Sequence, residues 1–318
     1  MPKDLPLVSI ICVAYNHENL ISRALDGFVM QKTTFPFEII VHDDASFDKT
    51  TQIIKDYEVK YPDLFVTIFQ DINQFSQKKL SIWGDITFPM ARGKYIAICE
   101  GDDYWTEPCK LQNQFEFLEN NDEFVICTHD ASICINGEFI EKKFVNDKMA
   151  SINTFCDVLG SNSFPTASIF FKNHLLSSND LEVLRSAPVG DWILQLLLLR
   201  YGKMYYFNND YSVYNIHENG TWSTLDESNQ RTLKLLILDY IKVKFKLTHL
   251  QIKVVNQNII GLFKNSIQLK ANSNNFNFLS DFVSCYNYFK DFSQLIFLFP
   301  YTIPNKFKNT IKLFLKIS

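Results

Sequence analysis

The sequence predicts an α/β fold, a mostly parallel sheet flanked by helices, followed by a helical C-terminal appendage. Three observations carry that expectation: short apolar runs alternate with helical patterns through the first hundred residues, two acidic clusters stand at the ends of two of those runs, and the charge balance changes sign near residue 227. Residues 7–14 are almost wholly apolar, as a strand covered on both faces must be, and residues 19–30 then repeat their apolar side chains at helical spacing. A second strand over residues 37–42 runs into Asp43-Asp44-Ala45-Ser46, where Ser46 or Asp48 can cap a helix reaching Tyr57. Strands over residues 65–69 and 94–99 complete the alternating part, and the latter ends at Glu100-Gly101-Asp102-Asp103. Ligands of open parallel sheets bind beyond the carboxyl ends of the strands, so both acidic clusters are expected on one rim. From Glu123 the pattern loosens into strand-like pieces at 124–127 and 168–171, and a strongly apolar helix follows over 191–200.

The chain has 318 residues, 47% hydrophobic and 21% charged, which suits one large core with an appendage and excludes disordered, collagen-like and disulfide-scaffold classes. Seven cysteines, an odd number without CxxC pairing, point to reduced thiols in a reducing compartment. The start of the chain shows no basic-then-apolar leader, and no apolar run nears the roughly 18 residues that span a bilayer, so a cytoplasmic, non-integral protein is expected. A formal charge of -4 hides an asymmetry: residues 228–318 hold thirteen basic and three acidic side chains, whereas residues 1–227 hold 18 and 32. A boundary is therefore expected there, with an acidic body over 1–227 and a basic amphipathic helical region over 228–318. Residues 233–247 and 305–316 mix Lys with Phe and Leu at helical spacing, a pattern that suits either an anionic membrane surface or a bundle with its lysines outward. Nucleic acid is disfavoured as partner, because no recognised binding module is present and the body is acidic.

GxGxxG, GxxxxGK[ST], GxSxG and HExxH are all absent, which disfavours dinucleotide, P-loop, serine-hydrolase and zinc-protease chemistry. Glu100, Asp102 and Asp103 crowd three carboxylates into four residues; they form either a solvated turn or the hard-oxygen part of a Mn2+ or Mg2+ site facing a diphosphate. Asp44 either caps a helix or meets ligand, and Tyr15 and Asn16 either wall a base pocket or serve the turn. Asp191 opens an apolar helix, so it is an N-cap or a general base; His217 is a packed imidazole or a site residue. Trp105 and Trp222 either stack on sugars or fill the core, and Arg92 and Lys94 either meet phosphate or serve solubility.

The stretches VSIICVAYN at 8–16, EIIVHDDAS at 38–46, GKYIAICEGDDYW at 93–105, Gly190-Asp191-Trp192, and Val213 to His217 with Gly220 to Ser223 resemble, in unbroken order over about residues 6–223, the motifs of family 2 glycosyltransferases with the Rossmann-like GT-A fold, of the bacterial surface-polysaccharide type. The resemblance implies that Asp44 contacts the base of a nucleotide-sugar, with Tyr15 and Asn16 shaping the pocket. Asp102 and Asp103 then correspond to the DxD-type motif, Asp102 on the donor and Asp103 on the metal. Glu100 stands where the family commonly has aspartate. Asp191 matches the general base, His217 a late histidine near metal or diphosphate, and Trp105 and Trp222 are assigned to the acceptor. The implied activity is Mn2+- or Mg2+-dependent, inverting transfer of a sugar from a nucleotide-sugar to a hydroxyl of a growing surface glycan, free or lipid-linked; a lipid-linked acceptor would give the basic tail a purpose at the inner face of the membrane, with the packed bundle as the alternative. Two other classes stay open: an inactive, membrane-associated nucleotide-sugar binder, and a nucleotidyltransferase, which would release pyrophosphate.

Overall fold

Strands that need cover on both faces lie at the centre of the sheet. The run read first, β1 (Val8–Ala14), is buried almost throughout and pairs in parallel with β2 (Phe37–Asp43) on one side and β4 (Tyr95–Ile98) on the other. The computed structural model describes residues 5–272 apart from Asn219 and Thr221. The remaining strands are β3 (Phe65–Phe69), β5 (Tyr104–Trp105), β6 (Phe124–Ile135), β7 (Glu138–Lys143), β8 (Ile152–Asn153), β9 (Phe170–Lys172) and β10 (Lys203–Ile216). The helices are α1 (Ile21–Val29), α2 (Thr50–Lys60), α3 (Gln74–Gln77), α4 (Phe88–Met90), α5 (Lys110–Asn120), α6 (Phe155–Val158), α7 (Ser178–Arg185), α8 (Gly190–Leu198), α9 (Glu227–Lys244) and α10 (His249–Asn272).

Among the described residues the strands form one sheet in the order β3-β2-β1-β4-β9-β6-β10-β5, with β7 on β6 and β8 on β10. The half from β3 to β4 is wholly parallel, as strands joined through helices must be, and β6 and β10 are parallel too. Antiparallel β9 joins the two parallel groups. The β6–β7 hairpin turns at Asn136-Gly137, both with positive φ (49° and 91°), the backbone that Asn-Gly supplies most cheaply. β10 has no counterpart in the sequence reading. Its register on β6 slips around Asp210, which accepts from Ser132 N at 2.8 Å, and the polar Asn208-Asn209-Asp210 interruption hides its strand periodicity.

The core under α1 and α5 joins Ile10, Cys12, Leu25, Phe28, Ile39, Tyr95, Leu111 and Phe170, each contributing about 1.5–3 kcal/mol if large and aliphatic or aromatic. Burial pushes the thiols of Cys12, Cys99 and Cys127 up, so they stay protonated and unreactive. Cys285 lies outside the described residues.

The chain divides into two compact units, 1–225 and 226–318. In the second, Asp226 caps α9 by accepting from Asn229 N at 2.8 Å, and Thr248 with Gln251 forms a reciprocal cap on α10. The two helices touch, and Ile237, Leu238, Ile241, Val255 and Ile259 are buried. The basic segment expected at 305–316 lies outside the described residues. No described helix is long and apolar enough to cross a membrane.

Among the described residues, the buried amine of Lys110 has no carboxylate partner. Lys110 is fully buried, its Nζ 2.7 Å from Gln114 Oε1 and 3.9 Å from the centre of the Trp105 ring. Burial lowers its pKa from 10.5 to about 7, so folding expels a proton that the unfolded chain keeps up to its ordinary value. Stability from this group therefore rises with pH between those two values and is lowest below them. The melting temperature of Lys110→Met minus that of the parent should be greatest near pH 7 and shrink towards pH 10; a difference constant across that range would show that the amine stays charged in the fold.

Candidate active site

The parallel register, with Ala14 opposite Asp43 and Ile11 opposite Ile98, brings the carboxyl ends of β1, β2 and β4 to one rim. Both acidic clusters hang from the end of β1: Asp44 N donates to Ala14 O and Gly101 N to Val13 O, each at 2.9 Å. Glycine between Glu100 and Asp102 follows from this closeness, since a Cβ at Gly101 would lie 2.8 Å from Ile21 Cδ1 and 3.0 Å from His17 Nδ1.

The loops after β1 and β2 lock together. Asn16 takes a left-handed backbone (φ 55°), donates from its N to Ser46 Oγ at 2.9 Å and accepts from Phe47 N at 3.0 Å. His17 N donates to Thr50 Oγ1 and Glu18 N to Asp48 Oδ2. Tyr15, partly exposed, meets the Phe47 ring edge-on at 6.2 Å. Neither residue expected to cap α2 is its N-cap: that position is Lys49, Asp48 accepts from Thr50 N at 2.9 Å, and Ser46 Oγ donates to Asp43. Asp44 is buried and serves a different helix: its two oxygens accept from Gln74 N at 2.7 Å and Phe75 N at 2.9 Å, holding α3 against the rim.

Carboxylate oxygens of Glu100, Asp102 and Asp103 lie within 4.8 Å of one another. Asp103 is only 2% exposed and its Oδ1 accepts from Asn215 N at 2.9 Å, while Asn215 Nδ2 donates to Asp102 O at 2.6 Å, so the pair pins the end of β10. Asp102 is more open. Its Oδ2 meets His217 Nε2 at 3.1 Å and His17 Nε2 at 3.9 Å, from two rings set at 88° to each other. Burial, then the charges of Asp102 and Asp191, push Glu100 up to about 8. Burial, Asp102 and Glu100 hold Asp103 well above the usual carboxylate range. Burial opposes ionisation of Asp102 too, but the His217 bond and the two imidazoles keep it below that range.

Asp191 is not the helix N-cap; Val189 is, and α8 starts at Gly190, where a Cβ would approach Trp83 Cζ3 to 2.9 Å. From the first turn the Asp191 carboxylate accepts from Trp192 N at 2.7 Å, Asn162 Nδ2 at 2.6 Å and Thr166 Oγ1 at 3.4 Å. Burial raises its pKa against those hydrogen bonds. Its charge helps raise both Glu100 and Tyr214.

Trp105 departs from the expectation that it stacks on a sugar: it is 2% exposed, its Nε1 donates to Ala167 O at 2.8 Å, and Phe28 and Lys110 cover its ring. Trp222 is half-buried in the turn after β10, its carbonyl accepting from Leu225 N. Arg92 pairs with Glu38 and Lys94 with Glu119 at the amino end of β4, away from the rim, which removes both from phosphate contact. The sequence reading gave no role to His17, Asn162 or Thr166. His17 alone carried a signal, following Asn16 in the first βα turn.

Residues 9–173 match the model of Glycosyl transferase family 2. The chain belongs to this family. It is 33% identical over 215 residues to the uncharacterized Mycobacterium tuberculosis protein Rv1520, covering 68% of this chain and 60% of that protein, so it spans about 60% of the length of the first curated relatives it matches. It is 31% identical over 141 residues to Escherichia coli WfaP, a UDP-Glc:alpha-D-GlcNAc-diphosphoundecaprenol beta-1,3-glucosyltransferase, covering 44% of this chain and 49% of that one. Among solved structures it is similar to S. aureus TarS in complex with UDP-GlcNAc, with a TM-score of 0.60 at 18% identity over 82% of this chain and 72% of that one. The mannosyltransferase PcManGT from Pyrobaculum calidifontis, in complex with GDP-Man and Mn2+, gives 0.57 at 14% over 93% and 79%. At these identities the likeness concerns the fold, which is the expected GT-A arrangement of a mostly parallel sheet flanked by helices, with a helical C-terminal region.

The family 2 chain's buried Asp103 separates charge from anchoring in a melting experiment. Asp103→Asn keeps an oxygen for Asn215 N and removes a buried charge, so its melting temperature should match or exceed the parent's. Asp103→Ala strands that N–H and should lose about 1–3 kcal/mol; equal melting of the two variants would rule out the anchor.

Proposed function

We propose that this chain is an inverting glycosyltransferase that moves a sugar from a nucleotide-sugar to a hydroxyl of a surface glycan, with residues 1–227 carrying the chemistry. The observation that supports the reading is the cluster of Glu100, Asp102 and Asp103 after β4, with Asp191 near enough for its charge to help raise Glu100. The arrangement matches what the transfer needs. The acceptor O–H gives its proton to the Asp191 carboxylate, the freed oxygen pair bonds to the anomeric carbon on the face opposite the leaving group, and the bond from that carbon to the diphosphate oxygen breaks with its pair leaving on the diphosphate. A carboxylate whose proton affinity is raised by burial is a better base than a solvated one.

Clustered hard oxygens fit Mn2+ or Mg2+, and Glu100 and Asp102, with His217 beside them, would hold such an ion, which supplies neutralisation of the departing diphosphate. Asp103, expected as the metal ligand, belongs to the same cluster; its Oδ1 accepts from Asn215 N, and in this reading Asp102 joins it as a ligand. Tyr15 and Asn16 wall the base pocket, and Asp44 contributes by fixing α3 as part of that wall. A lipid-linked acceptor at an anionic membrane surface is supported by the excess of lysine after residue 228 and by the acceptor in WfaP's name.

Asp191→Asn should lower kcat about a thousandfold while nucleoside diphosphate still raises the melting temperature as in the parent; undiminished turnover removes Asp191 as base. In the parent, transfer should fall as pH drops through the raised pKa of Asp191, because the protonated form accepts nothing. A panel of UDP- and GDP-sugars with EDTA, then Mn2+ or Mg2+, tests donor and cation together: transfer should stop in chelator and return with the ion, and full activity in EDTA overturns the cation's part.

A further inference from the structure

The base candidate is itself held, and the geometry of that hold selects one of its two oxygens. A carboxylate offers about four lone-pair positions. Oδ1 of Asp191 accepts from Trp192 N at 2.7 Å; Oδ2 accepts from Asn162 Nδ2 at 2.6 Å and Thr166 Oγ1 at 3.4 Å. Oδ2 thus carries the two side-chain donors, whereas Oδ1 carries the Trp192 amide, and the residue's own backbone N–H adds to the hold on the carboxylate. The Asn162 amide is oriented in turn: its own oxygen accepts from Gln195 Nε2 at 3.2 Å, which turns the NH2 group towards Asp191. Gln195 stands one helical turn after Asp191 on the same face of α8 and is fully buried, so its side chain is a rigid post. An exposed amide gains little stability from such a bond, because water offers equivalent partners. The gain lies in aiming the carboxylate.

We infer that Asn162, oriented by Gln195, is the positioning residue of the base: it occupies Asp191 Oδ2 so that Oδ1 is the oxygen that takes the acceptor's proton. The inference rests on Asp191 being the base. In the step it implies, the acceptor O–H bond breaks, an Oδ1–H bond forms, and the oxygen's pair goes to the anomeric carbon as the diphosphate departs with the pair of its own C–O bond. Asn162 and Thr166 hydrogen bonds favour the charged carboxylate, so removing Asn162 raises the pH at which the base is lost. Glu100 from the loop after β4 and Tyr214 from β10 are the titratable groups that feel the charge of Asp191, and both are common to parent and variants.

The test is the pH dependence of kcat for the full chain, parent against Asn162→Ala and Gln195→Met, at saturating donor and Mn2+, with Asp191→Asn as control. Asn162→Ala should lower kcat about tenfold near neutral pH, leave donor KM within about twofold, and move the acid limb up by about one pH unit, at an unchanged melting temperature. Gln195→Met should shift the limb in the same direction by less. An Asn162→Ala enzyme with the parent's acid limb and kcat overturns the inference, as does one whose only change is a lower melting temperature. If Asp191→Asn turns over normally, the base assignment has failed instead, and the two failures are told apart in the same assay.

Discussion

Mutual repulsion among carboxylates at the end of a buried strand is the constraint that the rest of this structure answers. Three acids within four residues, their oxygens a few ångströms apart and water largely excluded, cannot all stay charged unless positive or donor groups converge on them. The chain brings those groups from far away in sequence: His17 from the first βα turn, His217 and the Asn215 amide from the end of β10. Gly101 is the hinge that allows it, because any side chain there would collide with Ile21 and His17.

Acidic residues on the rim divide into two kinds by what surrounds them. Asp43, Asp44 and Asp103 are nearly sealed and accept hydrogen bonds from backbone amides or hydroxyls, so their charge is spent on building loops. Glu100, Asp102 and Asp191 keep part of their surface open. In the second DD pair, Asp102 faces the imidazoles and Asp103 holds the end of β10.

Much of the parallel half was legible in sequence because its strands are nearly continuous apolar runs ending in charge, and their register is held by the buried bond from Ser9 to Glu38 as well as by the turn chemistry at Asn16 and Asp44. The second half was not legible. β10 reads as aromatic and polar residues without clean alternation because Asp210 bulges it, and its role is decided by contacts with β6 and the acidic loop that no local pattern encodes. Trp105 misled for a related reason: its place beside the acids suggests a ligand face, whereas its indole N–H already belongs to Ala167 and its ring to the core. Asn162 gave no signal, since an isolated loop amide acquires meaning only when a helix 29 residues later presents Asp191 to it.

The bond from Asn215 to Asp103 joins positions 112 residues apart. During synthesis the acidic loop leaves the ribosome well before the strand that steadies it, so the cleft cannot be complete until β10 has been made. A nascent or clipped chain stopping short of β10 would own every motif of the amino-terminal half and still leave His17 to face that knot of like charge without His217 and the Asn215 amide. Completion of the polypeptide is in that sense the switch that makes the cleft competent.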